Sequence, residues 1–187
     1  MKNSSVILLV FLLFGCSSAI VSSTNDSKVK LLNALQLLKN NRPVPAQELI
    51  MQSLAHYENN NDEIGQAHAH KVYGQFYMSD TYHSHKDYFK KNHAYDGTYE
   101  KAVVHHRKAL DLFANNKDFF QASNSALNLA GTYQRQKKRQ KACEAFDLSL
   151  ELHKKGKELH PNKTVSLPPG FSTMDDAVST SKKNYGC

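Results

Sequence analysis

Apolar residues recur along most of this chain at steps of three and four, the spacing that lines one face of a helix. Val29, Leu32, Leu35 or Gln36, and Leu38 form the first such stripe. Asn40-Asn41-Arg42-Pro43 then breaks the chain, and Ala46, Leu49, Ile50, Ser53 and Leu54 resume the period. The same succession returns downstream. Ala126, Leu129, Ala130 and Tyr133 make one stripe, the polar run Gln134 to Lys141 makes a turn, and Ala142, Ala145, Phe146, Ser149 and Leu150 make the next. The pattern predicts helix–turn–helix units and an all-α fold.

The N-terminus follows a different pattern. Lys2 lies in a short polar stretch, and Val6 to Phe14 is an unbroken apolar run. The run is too short to cross a bilayer, which takes roughly 20 apolar residues. A charged segment followed by a short apolar one predicts a cleaved signal peptide. The run ends in Leu13-Phe14-Gly15-Cys16, which resembles the lipobox of bacterial lipoproteins. The resemblance implies lipid attachment at Cys16, cleavage before it, and anchoring through several acyl chains. Ser17 follows the cysteine, which by the same resemblance favours the outer membrane. The other reading is an ordinary signal peptide cut near Ala19. Residues 16–27 are rich in Ser, Thr and Asn and predict a flexible tether.

The downstream unit resembles a tetratricopeptide repeat, whose pattern is W-x₂-L-G-x₂-Y followed by A-x₃-F in a 34-residue helix–turn–helix. Ala126, Leu129, Ala130 and Tyr133 take the first four places, and Ala142 with Phe146 supplies A-x₃-F. The first pair fits through Ala34, Leu37, Ala46 and Ile50. The middle fits through Tyr73, Gly74, Tyr77, Ala102 and His106, with an insertion near Ser79 to Asp96. The resemblance implies about three repeats, at 27–60, 67–116 and 123–156. A generic antiparallel helical bundle is the alternative. The expected organisation is a signal peptide at 1–15, a lipidated tether at 16–27, a helical domain at 28–156 and a C-terminal tail at 157–187.

By that resemblance the first helix of each repeat lines a concave, peptide-binding groove. Its positions here are His68, Lys71, Gln75, Asn124, Asn128 and Arg135, and Lys71 and Arg135 would meet a carboxylate. The chain carries a net charge of +7, which directs attention to acidic partners and anionic envelope surfaces. Nucleic acid is not expected in that compartment. Arg135, Lys137, Lys138, Arg139 and Lys141 form a basic patch at a turn, read either as solvated charge or as contact with anionic lipid or an acidic partner. Tyr77, Tyr82, Tyr88, Phe89, Tyr95 and Tyr99 interleave with lysines in and beside the insertion. They suit a recognition surface or packing on the stack.

With Cys16 committed to lipid, Cys143 and Cys187 remain. In an oxidising compartment they are candidates for a disulfide that would fold the tail over the last repeat. A buried Cys143 with a free or intermolecularly paired Cys187 is the alternative. Pro168-Pro169-Gly170 ends the helical region, and Ser172 to Lys183 predicts one more short helix capped by Ser172 or Thr173.

Ten histidines raise the question of metal. The close pairs His68/His70, His83/His85 and His105/His106 lack the i, i+4 spacing that aims two ligands at one ion on a helix. They read as solvated or partner-facing, and no metal or cofactor is expected. No catalytic triad, phosphate loop or carboxylate pair stands out. The expected role is therefore a non-catalytic envelope adaptor or assembly factor of the pilus or secretion type. An immunity or inhibitor lipoprotein is the second reading, and an envelope hydrolase the third.

Overall fold

The computed structural model describes residues 24–165, 167 and 170–187. The apolar run, Cys16 and most of the tether lie outside the described residues, as do Pro168 and Pro169. Among the described residues the fold is all-α. No helix among them is long and apolar enough to cross a membrane.

Three helix hairpins make up the body. The first is α1 (Ser27–Lys39) with α2 (Pro43–Asn59). The second is α3 (Glu63–Met78) with α6 (Glu100–Asn115), separated by the short helices α4 (Asp80–Ser84) and α5 (Lys86–Lys91). The third is α7 (Phe119–Arg135) with α8 (Arg139–Leu159), and α9 (Met174–Tyr185) follows. The partners in each hairpin are antiparallel: Ser53 Oγ donates to Ser27 O at 3.0 Å and Ser123 Oγ to Ser149 O at 2.9 Å. Both are small buried hydroxyls that let the helix backbones approach.

The turns repeat more faithfully than the helices. Asn41, Asn61, Lys117 and Lys137 all adopt left-handed backbone, with φ between 52 and 60°. In each case the next residue returns its amide to the preceding helix. Arg42 N donates to Leu37 O, Asp62 N to Tyr57 O, Asp118 N to Phe113 O and Lys138 N to Tyr133 O, each at 2.9 Å. These bonds satisfy carbonyls that a helix C-terminus otherwise leaves bare. Asp26, Asp62 and Asp118 then cap the following first helices by accepting from Lys28 N, Gly65 N and Gln121 N. One turn geometry used four times gives successive helices a constant reversal.

The small and large places of the repeat pattern are all buried: Ala46 with Ile50, Ala102 with His106, and Ala142 with Phe146. Gly74 shows why smallness matters. A Cβ at that position would lie 2.4 Å from the His106 ring. Neither helix can retreat without opening the core, so Gly74→Ala should destabilise the fold by about 2 kcal/mol through overpacking. Equilibrium urea unfolding reads this directly, and an unchanged midpoint would contradict the packing described.

Two expectations need correction. The first stripe holds only in part: Leu38 faces the core, and Val29 and Leu32 do not. Leu31, Ala34, Leu37 and Leu38 are buried, whereas Val29 and Leu32 are exposed, Leu32 by 58%. Apolar residues lie nearly all round this helix, so period alone did not choose the inward face. The histidines are not uniformly solvated either. His70 and His106 are buried, and His105 is half-buried.

The insertion packs on the stack. Tyr82 and Phe89 are buried against Phe76. The Tyr82 hydroxyl donates to Ala94 O and accepts from Asp96 N. Tyr88 faces outward and is 48% exposed.

Candidate interaction groove

Antiparallel hairpins stacked in register place their first helices side by side. Lys71 Nζ of α3 donates to Gln121 Oε1 of α7 at 2.8 Å, and Thr132 Oγ1 of α7 reaches Met78 Sδ of α3. α1 packs against α3 in the same way. One face of the molecule is thus built from α1, α3 and α7.

A cavity of about 540 Å³ opens on that face between α1 and α3. Its apolar wall includes Leu31, Leu32, Leu35 and Ile64, with Tyr57 contributed from α2. His68, Lys71 and Gln75 line the other side. Three of the six expected groove positions therefore meet around one cavity. Helical geometry explains this, because residues 68, 71 and 75 follow steps of three and four and share one face of α3.

Lys71 is the most constrained of them. Its ammonium lies 5.8 Å from the centre of the Phe113 ring as well as on Gln121. Burial lowers its pKa, and Asp118 nearby opposes that shift. His68 stands edge-on to Phe113 at 4.9 Å. Its pKa is lowered by burial first and by Lys71 next. The cavity therefore combines an aliphatic wall and polar side chains with Lys71, held by its neighbours, and with Lys28 and Asp62 at its margin. Such a surface can take an apolar side chain and orient a carboxylate or carbonyl beside it.

Asn124, Asn128 and Arg135 do not line this cavity. Asn124 is exposed on α7, and Asn128 Nδ2 is buried with no hydrogen-bond partner. Arg135 reaches Asp80, at the start of the insertion, at 3.6 Å. The basic turn is similarly engaged in part. Lys138 pairs with Glu100 at 2.7 Å, and Lys141 lies over the Tyr133 ring.

Sequence reasoning missed the cavity wall. The periodicity places Leu32 and Leu35 on the first helical stripe without marking them as a binding wall, and Tyr57 and Ile64 belong to no stripe. The available signal was the surplus of leucines in α1, which is more than a helix with one buried face needs.

A second cluster lies between α3 and α6. His70 Nδ1 and His105 Nδ1 are 3.0 Å apart, and the His105 ring stacks on Tyr77 and leans on Tyr73. Both nitrogens of His106 are buried without a partner. Burial lowers the pKa of His70 and of His106 to about 4, and that of His105 to about 3. Among the described residues no group of three or more metal-ligating side chains gathers at one point.

The tail helix closes the last hairpin. Cys143 of α8 is joined to Cys187 by a disulfide, with Cα atoms 5.7 Å apart. Lys182 pairs with Asp147. Met174 and Val178 pack into the cluster of Leu129, Tyr133 and Phe146.

No family model matches this chain, and no curated protein or solved structure does.

Proposed function

We propose that this chain is a non-catalytic interaction module. It is tethered through Cys16 to a bacterial envelope membrane and holds a segment of a partner protein against its first helices. The supporting observation is the cavity between α1 and α3, where exposed Leu32 faces Lys71, His68 and Gln75. Exposed aliphatic surface beside a restrained cation suits a protein segment that brings an apolar side chain and a polar or anionic group. The tetratricopeptide-like pattern of the hairpins supports the same use of this face. The role that fits is an adaptor or assembly factor for an envelope machine.

Site-specific photocrosslinking in cells tests this. A crosslinker at position 32 or 68 should give a discrete protein adduct, and Lys71→Glu should reduce it at least about tenfold, the loss of a charge-assisted contact. The same group at Val104, exposed on the second helix α6, should give none. Equal adducts at all three sites would reject the groove. An adduct with an incoming toxin would move the reading to immunity. Metabolic labelling with a fatty acid should mark the protein and not its Cys16→Ala variant, and an unlabelled native protein would reject the lipid anchor.

A further inference from the structure

The net charge of +7 is not spread evenly over the molecule. Antiparallel hairpins give the array two edges. One edge is formed by residues 39–42, 79–101, 135–141 and 182–187. Direct contacts join these segments. Thr81 Oγ1 donates to Leu38 O, Gln136 Nε2 to Thr98 O, and Lys138 pairs with Glu100. The disulfide brings Cys187 to α8.

Thirteen of the 24 Lys and Arg side chains lie in these segments, against four of the 17 Asp and Glu. Those four acids are Asp80, Asp87, Asp96 and Glu100. Asp80 and Glu100 already face Arg135 and Lys138, and Lys182 is met by Asp147 from beyond the edge. The Asp96 carboxylate accepts from Thr98 and from the Lys101 amide. Exposed Lys86, Lys90, Lys91 and Lys137 are therefore met by few anions of the same edge. The opposite edge carries Asp26, Asp62, Glu63, Asp118, Asp175 and Asp176, which offset its cations.

We infer that this basic edge seats on an anionic lipid surface. The inference rests on the layout of charge and does not require the groove or the anchor. Its cations come from four separate segments and so spread along the edge. A fluid layer of phosphate headgroups accepts cations spread along an edge, whereas a fixed acidic protein partner needs a buried apolar anchor at the centre of its contact. Among the described residues, the large apolar side chain exposed at this edge is Tyr88, flanked by Lys86, Lys90 and Lys91. An aromatic ring with a hydroxyl belongs at the headgroup level. Each cation brought near an anionic leaflet raises partitioning by ~fivefold at moderate salt.

The test uses the full chain carrying Cys16→Ser, so that no acyl group supplies the attachment. It is floated with vesicles of phosphatidylglycerol and phosphatidylcholine, and with phosphatidylcholine alone. The zwitterionic vesicles measure the background from the apolar N-terminal run. Partitioning onto anionic vesicles should exceed that background at least about tenfold and fall back to it toward 0.5 M salt. Lys86→Glu, Lys91→Glu and Lys137→Glu together should cut the anionic increment at least about tenfold. Lys117→Glu, Lys154→Glu and Lys157→Glu, at the opposite edge, should change it less than about twofold. Circular dichroism melts establish that each triple variant is folded, and the two single variants Lys86→Glu and Lys137→Glu are read if one is not. Equal binding to both vesicle types, or equal loss from both sets of variants, overturns the inference. So does tight binding of polyglutamate without vesicle binding, which would assign the edge to an acidic protein.

Discussion

Lowering the pH from 7 to 5 should destabilise the fold by about 3 kcal/mol, a fall in Tm of about 10 °C for a domain of this size. The cause is the trio His70, His105 and His106, held between α3 and α6. In the folded chain burial keeps all three neutral, with pKa values near 4, 3 and 4. In the unfolded chain each titrates near the ordinary value of about 6.5. The unfolded state therefore binds protons first as pH falls. Stability from these groups is fully present above about pH 6.5 and is lost on the way down to about pH 3.

At pH 5 each group taken alone would cost up to about 2 kcal/mol, and partial hydration of His105 and relaxation of its neighbours halve the total. The surroundings give no relief. Lys71 faces His106, and Lys101 and Lys108 face His105, while Tyr73 and Tyr77 supply the aromatic walls. Across the His70–His105 contact one Nδ1 donates and the other accepts. An added proton would set two N–H groups against each other. His106→Phe removes one titrating group and two unpartnered nitrogens, so the dependence on pH should flatten by about a third. A Tm constant between pH 7 and 5 would show that these rings are not buried as described.

Reducing the disulfide should cost a similar amount by a different route. The bond between Cys143 and Cys187 closes a separation of 44 residues, and a loop of that size stabilises by about 3–4 kcal/mol through the entropy of the unfolded chain. Its loss should fall first on α9. That helix packs against α8 and buries Met174, Ala177 and Val178. Without the bond it is held by that small apolar face and by the Lys182–Asp147 pair. Reduction, or Cys143→Ser with Cys187→Ser, should lower Tm by about 10 °C. It should raise the fluorescence of a hydrophobic dye, because Tyr133 and Phe146 lose their cover. It should also open residues 160–173 to protease. A reduced protein with unchanged Tm and protease pattern would place the stabilisation of α9 elsewhere.

The hairpins were legible because their signal is local. The polar breaks at residues 40–42, 134–141 and 161–170 interrupt strong helical periodicity, although α7 runs on to Arg135 and α8 already begins at Arg139. The size pattern Ala-x₃-large was legible too, since it reflects contact within one hairpin. His106 was harder to read. It holds a place where an aromatic or aliphatic residue is usual, and its burial follows from Gly74 across the helix pair. The six candidate groove residues separate on the same principle. Three share one helix face and meet around one cavity, while Asn124, Asn128 and Arg135 depend on how α7 sits beside α3 and on where the insertion places Asp80.

The sequence by itself determined the helices, the turns between them and the amounts of apolar surface and charge, because periodicity, caps and composition act over a few residues. Only the tertiary structure decided which face of α1 is buried, which histidines lose water, and that the surplus of cations gathers along one edge. Those are properties of neighbours brought together from distant parts of the chain. Apolar leucines all round α1 leave the choice to α2 and α3, and a histidine reads the same in sequence whether it meets water or another ring.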